Sequence, residues 1–103
     1  MTNWTRKPQE VEGDYFFSGK AVMTIGVSDT LTMLVDVIPI TMDLNQAVRE
    51  HNGLDYLQVY ECDDGRVVWV IDQLSKSMKE GDGYTPEQVE EYDYWTVLLP
   101  SEY

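Results

Sequence analysis

The clearest pattern of apolar and polar positions lies in two runs, residues 54–62 and 66–72, which flank Asp63-Asp64-Gly65. Both runs are rich in Val, Tyr and Trp, and an Asp-Gly step between two β-rich runs favours a tight turn. The pattern therefore predicts a β-hairpin. We expect its core-facing residues to be Leu57, Val59, Val68 and Val70, with Tyr56 as a further candidate.

Two further strands are predicted outside the hairpin. Residues 21–27 form the centre of a stretch rich in aromatic and branched side chains. Residues 94–99 place Trp95, Val97 and Leu99 on alternate positions, and Pro100 ends the pattern.

The segment 28–38 is open to two interpretations. Ser28 or Asp29 offers a helix N-cap, and Leu31, Leu34, Val35 and Ile38 follow at helical spacing. The β-branched residues of the same segment also suit a strand. Pro39 disfavours helical angles at the residue before it, so we expect any helix here to end by about residue 37.

Three short helical segments are predicted elsewhere. Asp43 is a candidate N-cap for residues 44–51, which Asn52-Gly53 ends, because both residues tolerate left-handed angles. Residues 73–80 suit a helical turn. Residues 86–92 suit a helix with Thr85 as N-cap, Pro at its first position and Gln88 at its third.

Together these segments predict a single α+β domain over residues 14–103, with an antiparallel sheet and short helices. Residues 1–13 are polar and broken by Pro8 and Gly13, which predicts a flexible N-terminal arm. Trp4 either docks this arm on the domain, the alternative that we favour, or stays free for a partner.

Negative charge is concentrated in the second half of the chain. The formal net charge is −12, and residues 52–103 hold twelve Asp/Glu against three Lys/Arg. Residues 80–93 contain six carboxylates and no Lys or Arg. Such a field repels nucleic acid and anionic membranes and attracts basic protein surfaces. The residues expected to bind a partner are Asp82, Tyr84, Glu87, Glu90, Glu91, Asp93 and Tyr94.

Each part of this expected site also has a simpler explanation. The acidic residues suit an ordinary solvated surface. The aromatic residues interleaved with them suit ordinary packing of a core and its rim; they are Tyr84, Tyr92, Tyr94, Trp95 and Tyr103.

Residue patterns for catalysis are absent from the sequence. A nucleophilic site would need His51, the single histidine, with Ser28 or Cys62, and neither lies in a sequence typical of such a nucleophile. We therefore predict that the protein is not an enzyme and has no catalytic residues.

Metal and cofactor patterns are also absent. Asp63-Asp64 and residues 80–83 offer carboxylate oxygens without the spacing of a calcium loop, and turn formation explains them as well. There is no Gly-rich phosphate loop, zinc pattern or basic-aromatic stripe. We predict no metal, no cofactor and no direct binding of nucleic acid.

Membrane insertion is not expected either, because the apolar residues 31–42 are interrupted by Asp36 and Pro39 and fall short of a span of ~20 residues. The single cysteine, Cys62, cannot form an internal disulfide, which indicates a reducing, cytoplasmic location.

The chain resembles the family catalogued as domain of unknown function 960 in four segments, both in their order and in their residues: 23–28, 54–61, 70–72 and 96–103. Its members are uncharacterised proteins of Gram-positive bacteria, their phages and plasmids. The specific parts of the resemblance are Asp-Tyr-Leu-Gln-Val at 55–59 and the Leu-Leu-Pro-x-Glu-Tyr ending. Residues 35–42 do not reproduce the family's Trp-containing stretch. The resemblance implies an α+β fold and a mobile-element context, and it implies no catalytic residues.

The sequence thus favours a non-enzymatic acidic protein that inhibits a basic, nucleic-acid-binding nuclease or effector of host defence by charge mimicry, as anti-CRISPR or anti-restriction proteins do. The alternative is an accessory or regulatory interaction module of a phage or plasmid without mimicry.

Overall fold

Five strands form one mixed sheet in the order β1-β3-β4-β5-β2 in the computed structural model, which describes residues 3–103. The strands are β1 Trp4–Arg6, β2 Lys20–Met23, β3 Leu57–Cys62, β4 Val67–Asp72 and β5 Tyr94–Leu98. The helices are α1 Ile25–Thr30, α2 Ile38–His51, α3 Lys76–Glu80 and α4 Pro86–Tyr92. A π-helix, Met33–Val37, leads into α2, and a 3-10 turn, Pro100–Glu102, follows β5. The predicted α+β class is confirmed.

The sheet is antiparallel except at one edge, where β2 pairs in parallel with β5. The predicted antiparallel sheet is therefore present, with this one parallel pair added at its edge. β2 is also shorter than predicted, because the side chain of Thr24 accepts a hydrogen bond from the Val27 N–H and so begins α1 where the strand was expected to continue. Ser28 and Asp29, the predicted N-caps, lie inside α1.

The predicted hairpin is present as β3 and β4. Gly65 has φ +94°, and its N–H donates to the Cys62 carbonyl at 3.0 Å. The Cys62 N–H donates to the Arg66 carbonyl at 2.8 Å and closes the ladder. The turn needs a left-handed residue at position 65, and glycine adopts that conformation without steric cost.

The core lies on the face of the sheet that contacts α2, and this is where the expectation for β3 was wrong. Val68 and Val70 are buried as predicted, whereas Leu57 and Val59 point to the opposite face and are half-buried. Tyr56, the further candidate, is exposed. Both faces of β3 carry apolar side chains, so alternation alone did not distinguish them.

Two polar groups decide which face of β3 is buried. Tyr60 is fully buried because its hydroxyl donates to Asp43 Oδ2 of α2 at 2.9 Å. Gln58 is buried beside it, and its amide is paired with Gln9, Arg6 and the Asp55 carbonyl.

The segment 28–38, left open above, contains the end of α1 and the π-helix. The expectation that Pro39 ends a helix was wrong, because Ile38 keeps helical angles (φ −62°, ψ −47°) and the π-helix runs directly into α2, whose first turn contains Pro39. Asp43 is therefore interior to α2 and does not cap it. The predicted end of this helix is confirmed, with Asn52 at φ +52° and Gly53 at φ +110°.

Part of the expected N-terminal arm belongs to the sheet. Residues Trp4–Arg6 form β1, which pairs antiparallel with β3, so the prediction of a flexible arm was wrong for these three residues. The docking of Trp4 is confirmed: its Nε1–H donates to Asp36 Oδ1 at 2.9 Å, and the guanidinium of Arg66 lies 5.3 Å from its ring centre. Met1 and Thr2, the start of the expected arm, lie outside the described residues.

Candidate protein-binding face

The short helix α4 carries most of the acidic residues that the sequence singled out. Its start is a capping box in which Thr85 Oγ1 accepts from the Gln88 N–H at 3.2 Å and Gln88 Oε1 accepts from the Thr85 N–H at 2.9 Å. Pro86 occupies the first turn. The predicted helix is therefore confirmed, and its first turn is stabilised by its own residues.

Glu87, Glu90 and Glu91 are all exposed on α4. Their spacing of three and four residues places them on one side of the helix. No residue of α4 is buried, and Val89 is only half-buried. This helix therefore contributes little to the core, and its acidic side is open to solvent. Asp82, in the loop before α4, is exposed as well. We call Asp82, Glu87, Glu90 and Glu91 the acidic face.

Asp93 does not share the open environment of the acidic face. Its Oδ1 lies 2.7 Å from Lys79 Nζ, and both side chains are largely covered. Glu80 lies 3.9 Å from Lys76 Nζ in an exposed pair. Residues 80–93 contain no Lys or Arg, but lysines of α3 pair with the carboxylates at the two ends of this interval, so its negative charge is partly compensated there.

The aromatic residues interleaved with the acids are not gathered into one cluster. Trp95 is buried in the core with its ring centre 6.5 Å from that of Phe17, whereas Tyr103 packs against Trp69 at 5.4 Å. Tyr84 and Tyr94 are half-buried. Core packing accounts for Trp95, whereas Tyr103 remains 77% exposed despite its contact with Trp69, and Tyr92, at the end of α4, is 44% exposed.

The residues considered for nucleophilic chemistry are in different environments. His51 is exposed in the last turn of α2, and Ser28 is exposed in α1. Cys62 is 3% exposed, and burial raises the pKa of its thiol, which keeps the sulfur protonated at neutral pH. Its environment is that of a structural cysteine.

The acidic loops have structural roles where the contacts are visible. Asp64 accepts from the Arg66 backbone N–H at 3.1 Å and from its Nε–H at 2.9 Å, and so closes the hairpin turn. Asp63 accepts from the Asn3 N–H at 3.3 Å. Within residues 3–103, no group of three or more His, Cys, Asp or Glu side chains is arranged to hold a metal ion.

A cleft of about 520 Å³ opens on the sheet face away from α2, bordered by Tyr15, Tyr56 and Tyr103. Glu102 also lines it, but its carboxylate already accepts from Thr24 Oγ1 at 2.6 Å and from the Leu99 and Gly26 N–H groups. These hydrogen bonds, that of Thr24 first, lower the pKa of Glu102. The carboxylate therefore fastens the C-terminal turn to α1.

Sequence reasoning missed a second exposed surface, on the π-helix and the start of α2. Met33, Leu34, Val35, Ile38 and Met42 are each at least 41% exposed. We call these five residues the apolar stripe. The helical spacing of Leu34, Val35 and Ile38 is typical of a side that packs on a core, but in the structure these three side chains are exposed. The sequence did contain a sign of this exposed surface, namely the number of apolar residues. Because Ile40 and Leu44 are also apolar, the helical segment has more apolar positions than one buried side can hold.

No helix in the described part of the chain is long and apolar enough to cross a membrane. Neither family models nor curated proteins nor solved structures give a match to this chain.

Proposed function

We propose that the protein is a non-enzymatic acidic binding protein that places its acidic face on a basic surface of another protein. The observation that carries this proposal is the state of α4: three of its seven residues are exposed glutamates on one side, and none of its residues is buried. A helix that contributes little to the core and carries clustered like charge is suited to an external contact.

The charge density of α4 supports mimicry of a nucleic-acid backbone. Glu87, Glu90 and Glu91 lie within about 6 Å along the helix axis, so α4 carries three charges over that length. Duplex DNA carries about one charge per 1.7 Å of its axis, counting both strands, which is a similar density. The partner that this charge density suits is a protein with a groove for nucleic acid. The resemblance adds a mobile-element context, in which such a partner is a nuclease or effector of host defence. The protein would then inhibit this partner as anti-CRISPR or anti-restriction proteins do.

The test uses two variants that remove equal charge. One changes Glu87, Glu90 and Glu91 to Gln, and the matched control changes three exposed glutamates elsewhere, Glu10, Glu12 and Glu50, to Gln. Purified RNA-guided nucleases and restriction endonucleases are the probes, and fluorescence anisotropy measures their binding to labelled duplex DNA in the presence of each protein.

We expect the wild type to displace DNA from one of these enzymes, and more weakly as salt increases. If each of the three glutamates forms an exposed ion pair with the partner worth about 0.5 kcal/mol, the α4 variant should lose roughly tenfold in affinity for the enzyme. The control variant should stay within about threefold of the wild type. Equal loss in both variants would assign the effect to net charge rather than to α4. No displacement by the wild type in any of these assays would contradict mimicry and favour the accessory interaction module.

A further inference from the structure

The first two turns of α2 are apolar on two opposite sides. Ile40 and Leu44 are fully buried against the sheet. Ile38 and Met42, which are 41% and 66% exposed, lie on the opposite side of the same helix at a spacing of four residues. Beyond Met42 the solvent side becomes polar, at Asn45 and Arg49.

The π-helix extends this exposed apolar side toward the N-terminus. Met33, Leu34 and Val35 are 50%, 73% and 50% exposed. Leu34 precedes Ile38 by four residues, so Leu34, Ile38 and Met42 follow one another along the outside of a continuous helical segment. Short π-helices occur frequently at functional sites.

A buried carboxylate holds the π-helix in this orientation. Asp36 is 2% exposed and accepts from the Thr32 N–H at 2.7 Å and from Trp4 Nε1 at 2.9 Å. Its Oδ1 lies 3.3 Å from Arg66 Nη2. With Asp36 and Val37 fixed inward, Met33, Leu34 and Val35 are directed to solvent. The exposed side chains are therefore presented by a fixed backbone.

A contiguous apolar surface of this kind is typical of a binding site for another molecule. Two of its five residues are methionines, whose flexible thioethers adapt to differently shaped partners.

The charge around the apolar stripe favours one class of occupant. Between Lys20 and Arg49 the sequence contains no Lys or Arg. Exposed carboxylates precede the stripe at Asp29 and follow it at Asp43, whose Oδ2 also accepts from the Tyr60 hydroxyl. The net charge of −12 opposes a second copy of the chain and an anionic membrane. It favours a segment whose apolar side is flanked by cations.

We propose that the apolar stripe binds a basic amphipathic helix of a partner protein. The partner helix lays its apolar side on Leu34, Ile38 and Met42, and its Lys or Arg side chains extend toward the flanking aspartates. This is packing of one amphipathic helix against the exposed side of another, with anchors at helical spacing. The site uses different residues from the acidic face and does not depend on the function proposed for α4.

The experiment measures binding of a fluorescent Lys/Leu peptide of about four helical turns, with Leu at every third and fourth position. A peptide of the same composition with scrambled Leu positions is the control for charge alone. The protein variants are Leu34→Ser with Met42→Ser in the stripe and, as the matched control, Val11→Ser with Met78→Ser outside it; all four side chains are at least 38% exposed.

We expect the amphipathic peptide to become helical on binding, as seen by circular dichroism, and to bind at least about tenfold more tightly than the scrambled peptide. The stripe variant should lose at least tenfold in affinity, and the control variant should stay within twofold. The α4 variant should keep most of the affinity, which separates this proposal from the proposed function.

Three results would overturn the proposal. Equal affinity for the two peptides would show that binding depends on charge alone and not on an apolar side of the peptide helix. Unchanged affinity in the stripe variant would place the peptide elsewhere. A concentration-dependent dimer in analytical ultracentrifugation, lost in the stripe variant, would make a second copy the occupant.

Discussion

Asp36 is the residue at which three separate parts of the chain meet. It joins Trp4 of β1, the Thr32 N–H before the π-helix and Arg66 just before β4. Burial alone would raise the pKa of its carboxyl, but the hydrogen bonds from Thr32, Trp4 and Arg66 outweigh burial and hold the pKa below its ordinary value of 3.8. The ionised form is therefore the one that the fold stabilises.

The substitution Asp36→Asn is expected to lower the free energy of unfolding by about 2 kcal/mol at pH 7, since it removes charge-assisted hydrogen bonds. Because the folded-state pKa is depressed, this contribution is present above about pH 4 and is lost as pH falls through the folded pKa. Urea unfolding between pH 3 and 7 measures the difference from wild type, which should shrink toward the acid end.

The control for this prediction is Asp29→Asn, an exposed position that should change stability by less than about 0.5 kcal/mol. A deficit in Asp36→Asn that stays constant across the pH range would show that the shape of the side chain matters and its charge does not.

Buried polar residues are the part of the structure that sequence patterns predicted least well. Asp36, Gln58 and Asp72 are each no more than 2% exposed. Their burial depends on partners distant in sequence; Asp72, for example, accepts from the N–H of Phe17, whose φ is +50°. A pattern that treats every polar residue as solvated cannot foresee such pairs, so the predicted core face of β3 was the wrong one.

Among the elements, the β3–β4 hairpin offers the sharpest test. Gly65 and Gly83 both have open space where a Cβ would be added, but only Gly65 has a positive φ. Gly65→Val should therefore destabilise the protein by on the order of 1 kcal/mol or more through backbone strain, while Gly83→Val should not.

Thermal melts of these two variants compare strain directly, because both substitutions reduce the freedom of the unfolded chain in the same way. Equal midpoints in the two variants would mean that the turn tolerates an L-residue at position 65.

Elements with local signals were predicted well. The hairpin, α4 with its capping box, β5 and the end of α2 at Asn52-Gly53 each follow from adjacent residues. β1 and the π-helix were not predicted, since β1 exists through its pairing with β3 and the π-helix through Asp36. The same difference applies to the candidate site: the helix of the acidic face was foreseen, whereas the pairing of Asp93 with Lys79 was not.

At the scale of the whole molecule, the two proposed binding surfaces have opposite properties. The acidic face is charged and lies on α4, which has no buried residues, and on the loop before it; the apolar stripe lies on segments anchored to the core. The anchored surface is suited to shape-specific contact, and the charged one to attraction over distance. A single basic partner with one amphipathic helix would satisfy both.

The net charge of −12 also has a consequence for stability. Like charges repel one another more strongly in the compact state than in the unfolded chain, and salt screens that repulsion. Raising ionic strength from 0.01 M to 0.15 M shortens the Debye length from about 30 Å to about 8 Å. We expect this change to stabilise the wild type by about 1 kcal/mol, or roughly 4 °C in melting temperature.

The two charge variants separate local from overall repulsion. The Gln variant of Glu87, Glu90 and Glu91 and the control variant of Glu10, Glu12 and Glu50 lose the same charge, but only the first set lies together on one helix. At 0.01 M salt the α4 variant should therefore melt at a higher temperature than the control variant, and the gap should close at 0.15 M as screening removes the repulsion between neighbours. Scanning calorimetry at both salt concentrations measures these differences. A wild-type melting temperature that falls with added salt would show that ion pairs such as Lys79–Asp93 outweigh the overall repulsion. Equal melting temperatures of the two variants at 0.01 M salt would show that the clustered glutamates of α4 impose no measurable local strain.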